Sequence, residues 1–272
     1  MLAAEVRRYL ALTAEDGYSV AGQFSVDELT ARLVRYESTV GDLSLMLACV
    51  SHWGQASNIS AFRKCFARSA DRLDMLGGNA VWLALRRYPI VLEFYFSGIS
   101  AVNAGRFDWL NTLFETKMEV EAGRKQAYSL ISFMSETLLE FARSDIFKML
   151  PGHERHKTPI SEYLYKILQP GLDDAFFLGK SYEGDFDRFE LFLSIAACDA
   201  AIQMQESAWG PLGRFFWKGA RFGHSPYKEM ILEADRLQAS WPPIQAGMFG
   251  GSYNRFKVAA NSIGEMVAKS PY

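Results

Sequence analysis

Residues 25–54 read SVDELTARLVRYESTVGDLSLMLACVSHWG. Val26, Leu29, Leu33, Tyr36, Val40, Leu43, Leu47 and Val50 follow one another at steps of three and four. That spacing lines apolar side chains along one face of a helix of about seven turns. A strand could not use it, because strand side chains alternate faces at period two. Ser25 can accept an orphan N–H of the first turn, and Glu28, three residues on, can reach back to complete a capping box. Trp53-Gly54 is the expected stop, and Gly41 is the position where the helix is weakest.

Working outward, the same punctuation recurs. Ser60 is expected to cap a helix carrying Phe62, Cys65, Phe66, Ala70 and Leu73, stopped by Gly77-Gly78, and Asn79 to cap one with Val81, Trp82 and Leu85. Pro89 suits a first helical turn. From Ile90 to Ala104 the chain is apolar nearly all round, so that helix is buried on more than one side. Gly105 is the expected left-handed cap before a helix through Asp108, Trp109, Leu110, Leu113 and Phe114. A break is expected near Gly123, then an amphipathic stretch with Tyr128, Ile131, Met134, Leu138 and Phe141. Pro151 to Lys157 reads as a polar loop. Thr158-Pro159 opens a helix expected to end near Gln169-Pro170-Gly171, which makes Asp173-Asp174 acids of a following first turn.

Lys180 to Asp187 is the most linker-like region, with helices expected at about 188–205 and 207–220. Ser225-Pro226 starts another, stopped by Trp241-Pro242-Pro243; Gly247 to Gly251 is a loop, and a last helix runs through Phe256, Val258, Ile263 and Met266. Strand alternation nowhere persists. The expected fold is therefore all-α: stacked antiparallel helical hairpins in an irregular solenoid or a helical bundle, with lobes at 1–178 and 188–272 or one continuous domain.

Composition narrows the function classes. Of 272 residues, 49% are hydrophobic and 14% aromatic, from 20 Phe, 12 Tyr and 6 Trp, enough for a large core. The net charge of −2 gives no positive field for a phosphate backbone, so nucleic acid is not an expected partner. Cys49, Cys65 and Cys198 lie in apolar surroundings without CxxC spacing and read as reduced core thiols, not as a disulfide framework or zinc site. MLAAEVRRYL at residues 1–10 lacks an apolar signal-peptide core. The most apolar stretch, Pro89 to Val102, is short for a membrane span and contains Glu93. The expected location is the cytoplasm, with no membrane partner.

Two regions echo one another. In Phe94 to Phe114, a helix with small residues Ser97, Gly98, Ser100, Ala101 and Ala104 turns and leads to Trp109-Leu110 and Leu113-Phe114. In Leu191 to Phe216, Ser194, Ala196, Ala197, Ala200 and Ala201 lead to Trp209, Leu212 and Phe215-Phe216. Small residues let a neighbouring helix approach, and the rings fill the groove. The first of these resembles a tetratricopeptide-type unit, with Gly98 at its close-packing position, Gly105 at its turn and Phe114 at its large position. It departs at Leu110, where that family usually has Ala, and no 34-residue period runs along the chain. In texture, YLALTAEDGY (9–18) and LRRYPIVLEFYFSGISAVNAGRFD (85–108) also resemble helical accessory regions of multidomain bacterial defence proteins.

Chemistry-bearing clusters are few. His153-Glu154-Arg155-His156 offers metal-ligand types, with the two histidines as ligands and Glu154 as base, but lacks zincin spacing. Asp173-Asp174 and Asp185 with Asp187 are acid–base types whose placement reads as structural. Gly247 to Ser252 precedes a helix without the residues of a phosphate loop. No cofactor is implied. Glu93 costs free energy in its apolar stretch unless paired, so it is expected either to pair with Arg86 or Arg87 or to stand exposed on an outer face. The expected function is a non-catalytic interaction or scaffold module of a bacterial cytoplasmic protein in a defence setting, binding a protein or a second copy of itself. The alternative is a ligand-sensing or enzymatic domain, in which His52, Glu93 and Tyr95 converge on a pocket between aromatic-rich helices.

Overall fold

The 28 residues from Val26 to Trp53 form one unbroken helix. Gly41 does not interrupt it, and a Cβ added there would meet nothing within 4 Å. Ser25 Oγ accepts from the Glu28 N–H at 3.2 Å. The Glu28 carboxylate does not reach back; it accepts from Arg32 at 2.6 Å and Arg35 at 2.8 Å, so half of the expected box forms. Leu29, Leu33, Tyr36, Val40, Leu43 and Leu47 are buried along the predicted face.

The computed structural model describes residues 1–14, 18–70, 77–118, 128–222 and 225–269. Its helices are α1 (Leu2–Leu12), α2 (Val26–Trp53), α3 (Ile59–Ser69), α4 (Ala80–Leu85), α5 (Tyr88–Asn103), α6 (Phe107–Phe114), α7 (Leu130–Arg143), α8 (Pro159–Phe176), α9 (Tyr182–Gln203), α10 (Phe215–Phe222), α11 (Pro226–Leu237), α12 (Pro242–Gln245) and α13 (Tyr253–Lys269). Two antiparallel pieces, β1 (Lys117–Met118) and β2 (Tyr128–Ser129), are the only strands among the described residues. The fold is all-α. The expected break at Gly123 and Leu73 of the third helix lie outside the described residues.

The reason α5 is central is its composition: every residue from Tyr88 to Val102 is buried. It lies along α2 and also meets α3, α6, α8 and α9. Ser100 Oγ donates to the Ala48 carbonyl at 2.7 Å, tying α5 to α2. Against α9 the approach is closest at Gly98, where an added Cβ would lie 1.9 Å from the Phe189 ring. Contacts such as α2 with α8 and α9 with α13 join elements far apart in the chain, and one hydrophobic cluster runs from Val6 to Ile263. This is a bundle gathered around α5 and α9.

Four expectations at element ends are corrected. Ser60 is not a cap; α3 starts at Ile59 after a 3-10 turn over Ala56–Asn58. α8 does not stop at Pro170 but runs to Phe176, so Asp173 and Asp174 sit in its last turn. Burial of Leu168 and Leu172 outweighs the bond that the proline removes. Residues 180–187 are not a linker, because α9 already begins at Tyr182 and buries Tyr182, Phe186 and Asp187. The expected helix at 207–220 is replaced by a strap without regular structure over 206–213, followed by α10. Gly210 and Gly213 let that strap lie on α9: a Cβ there would come within 2.1 Å of the Ser194 carbonyl and 2.0 Å of the Glu190 carboxylate.

Candidate functional site

The ends of α2 and α8 meet in an aromatic cluster. The His52 ring stacks on Phe176 at 4.8 Å between centroids and meets Trp53 at 4.5 Å. Trp53 and Phe176 are 5.2 Å apart. The end of α2 is held rigidly. Arg106 donates to the carbonyls of His52 (3.4 Å) and Gly54 (3.1 Å) while gripping both oxygens of Asp108 (3.0 and 2.9 Å). A cation on orphan carbonyls at a helix C-terminus is favourable. The Trp109 indole adds a bond to the Gly54 carbonyl at 3.2 Å.

On this fixed base the apolar rings face outward. Trp53 is 60% exposed, and Phe177, the residue after Phe176, is 88% exposed. Phe177 caps α8 in the left-handed conformation, φ 54° and ψ 41°, where Gly or Asn is the ordinary occupant. Asp173 steadies the turn by accepting from the Gly179 N–H at 3.0 Å. Burial lowers the His52 pKa, so its ring is neutral at pH 7 and adds apolar stacking surface. Trp53 was legible only as a helix stop, and nothing in the sequence around Phe177 marked it.

The other expected pocket residues do not converge with His52. Glu93 is fully buried and points to α3, where Ser69 Oγ lies 3.0 Å from each carboxylate oxygen. Arg87 instead pairs with Glu140 at 2.6 Å, so the expected ion pair to Glu93 through Arg87 is absent. Arg86 does not pair with it either, and with no cation bonded to it among the described residues, desolvation pushes the Glu93 carboxyl up to about 8. Tyr95 faces α9 and donates to Glu190 Oε1 at 3.2 Å. Glu190 is the functional-type residue that the sequence reading missed. Its Oε2 accepts from Ser161 Oγ at 2.8 Å and from the Arg214 N–H at 3.0 Å, and burial raises it too to about 8. The signal was available: Glu190 sits inside FELFLSIAA (189–197), as Glu93 sits inside its own apolar run.

His153 and His156 do come together, with Nδ1 atoms 3.1 Å apart. Glu154 turns away and accepts from the Gly152 N–H at 3.1 Å. Among the described residues no three His, Cys, Asp or Glu side chains are grouped to hold a metal ion. Asp185 accepts from Asn103 and Ser181, each at 2.9 Å. Asp187 binds Lys218, which also reaches Glu183. Both aspartates tie helices together. The 247–251 segment forms a tight left-handed turn at Gly247 and Gly250, and Gly250 leaves room for Arg255, which grips Asp199 with two bonds of 3.1 and 2.6 Å.

Three concavities flank α9, one of them an open cleft of about 740 Å³ beside Glu183, Asp187 and Lys218. An open cleft of about 1290 Å³ has Ala196, Ala197, Ala200 and Ala201 on one wall and Asn111, Ser132 and Arg255 among the others. A much smaller cavity of about 110 Å³ adjoins Glu190 and Tyr95. No family model, no curated protein and no solved structure matches this chain.

Proposed function

We propose that this chain is a non-catalytic helical interaction module that docks a protein partner through the patch formed by Trp53, Phe176 and Phe177. The observation that carries the reading is two large aromatic side chains exposed to solvent, Trp53 at 60% and Phe177 at 88%, on helix ends that are themselves fixed by hydrogen bonds and that meet where Phe176 packs on Trp53 at 5.2 Å. Exposed aromatic side chains on a rigid base are the anchors that bury well in an interface. The chemistry elsewhere points the same way. The buried acids Glu93, Asp187 and Glu190 each bond to a neighbouring element, the cavity beside Glu190, at about 110 Å³, falls below the roughly 300–1,000 Å³ of ordinary substrate sites, and the larger concavities of about 1290 and 740 Å³ are open clefts. The textural similarity to accessory regions of bacterial defence proteins supports a cytoplasmic, defence-related assembly as the setting.

A second copy of the chain is the simplest partner and is tested first, by light scattering over a hundredfold concentration range. In parallel, a photo-crosslinking amino acid at position 177 captures other proteins. Phe177→Asn separates binding from folding. Asn tolerates the left-handed cap that strains Phe, so stability should rise by a few tenths to about 1 kcal/mol, while association weakens at least tenfold. Trp53→Ser should weaken association similarly. A variant lacking both rings that associates as well as the parent, or a monomer that yields no specific crosslink from position 177, would sink the proposal.

A further inference from the structure

The cavity beside Glu190 is small but chemically distinctive. Leu138, Phe141, Phe147, Leu193 and Trp209 make apolar walls, and the hydroxyls of Tyr95 and Ser161 stand with the Glu190 carboxyl at its floor. It opens at a rim that includes exposed Ala142 and Lys157. The strap over 206–213 closes one side, and Gly213 allows the Arg214 N–H to reach Glu190.

The floor lacks one thing. Among the described residues, every hydrogen bond that Glu190 receives comes from a neutral donor: Tyr95 O–H, Ser161 O–H and the backbone N–H of Arg214. The Arg214 guanidinium is aimed elsewhere, onto the Tyr165 ring at 3.4 Å and toward Glu183 at 3.2 Å. Lys218 is committed to Asp187 and Glu183. A buried carboxylate with donors but no counter-charge is most improved by a cation. The walls suit one with an apolar body, since the rings of Phe141, Phe147 and Trp209 can also face an ammonium group favourably. A dry cavity of about 150 Å³ admits benzene, so about 110 Å³ fits a chain of roughly four to six heavy atoms.

We propose that this cavity is a binding site for a small alkylammonium ion, with Glu190 as its counter-ion. On binding, the ammonium head sits at Glu190 Oε1, which has Tyr95 as its one donor, and the alkyl tail lies between the aromatic walls. The Glu190 proton is released to solvent as the ion pair forms. The titratable and charged groups around Glu190 are Tyr95 from α5, Asp187 from α9, Tyr182 at the start of α9, Arg214 between the strap and α10, and Lys157 at the rim. Of these, Tyr95 and Tyr182 are held well above their ordinary range, and Asp187, which burial raises, is paired with Lys218. This inference is independent of the Trp53 patch, which lies at the ends of α2 and α8.

The test is titration calorimetry of the full chain with n-butylamine and with its uncharged isostere n-butanol, at pH 6, 7 and 8. Butylamine is expected to bind at least tenfold more tightly than butanol at pH 8, with affinity rising nearly tenfold per pH unit below about 8. Glu190→Gln should abolish the preference for the amine. Ala142→Trp, which plugs the rim from an exposed position, should abolish binding while leaving the fold intact, and it carries the test if Glu190→Gln does not fold. Equal binding of butanol and butylamine overturns the proposal. So does the absence of heat from either, which would mean that the cavity holds water only.

Discussion

Between pH 6.5 and 8 the protein is expected to lose roughly 3 kcal/mol of stability, with no loss of helix content before unfolding. The cause is the pair Glu93 and Glu190, both fully buried and both raised by desolvation to about 8. A carboxyl in the unfolded chain ionises near 4.5. Between that value and about 8 the folded protein holds a proton that the unfolded chain has lost, so stability falls as pH rises and levels off above about 8. Over pH 6.5 to 8 this amounts to roughly 1.5 kcal/mol per group, which is a large share of a typical 5–15 kcal/mol.

The window avoids the shifted histidines and the buried thiols. His52 and His153, whose pKa values burial lowers, gain their contribution mostly below pH 6.5. Buried Cys65 and Cys198, raised to about 12 and about 11, act only above pH 8. Urea unfolding at the two pH values measures the difference. Glu93→Gln and Glu190→Gln should each remove about half of it, and the double variant nearly all, because the two groups share no partner and should act additively. A double variant that keeps the full pH slope would show that the charge lies elsewhere.

These two carboxyls also show how far a sequence can be read. Glu93 was legible because an acid inside an unbroken apolar run must be either exposed or costly. The same argument applied to Glu190 but was hidden, since residues 180–187 read as a linker and the acid then fell near an assumed helix start. Which neighbour satisfies each one was not legible. Ser69 is 24 residues from Glu93, and Ser161 is 29 residues from Glu190. Local punctuation was much clearer: Ser25, Asn79 and Ser225 accept the first-turn N–H bonds that their side chains suggested, and Gly105 takes the left-handed turn at φ 65°. Such signals are local hydrogen bonds, complete within four residues. The helix that runs through Pro170, and the strap that replaces one, depend on what packs against them. So does the patch at Trp53, where the informative fact is an absence of covering residues that no local pattern encodes.

Gly98→Ala is expected to destabilise the fold by about 2–3 kcal/mol, although alanine is the better helix former by about 1 kcal/mol. The added methyl would lie 1.9 Å from Phe189 Cε2. That ring cannot swing aside, for it is wedged against Phe94 at 5.5 Å and Tyr95 at 5.0 Å. Either α5 and α9 separate along their whole contact or the ring leaves its rotamer, and a close-packed interior makes both expensive. Gly41→Ala on α2 is the matched control. It meets nothing within 4 Å, so it should stabilise by about 0.5–1 kcal/mol through propensity and reduced unfolded-state freedom. The opposite signs of two identical changes, both at helical glycines, would isolate packing from backbone preference. A cycle with Phe189→Leu tests the cause. Shortening the ring leaves a void by itself, yet it makes room for the methyl, so the double variant should be more stable than the two single losses add to, by about 1–2 kcal/mol. If Gly98→Ala instead behaved like Gly41→Ala, α9 would not lie against α5 at that point. The seat of Glu190, reached from the same pair of helices through Tyr95, would then have to be redrawn as well.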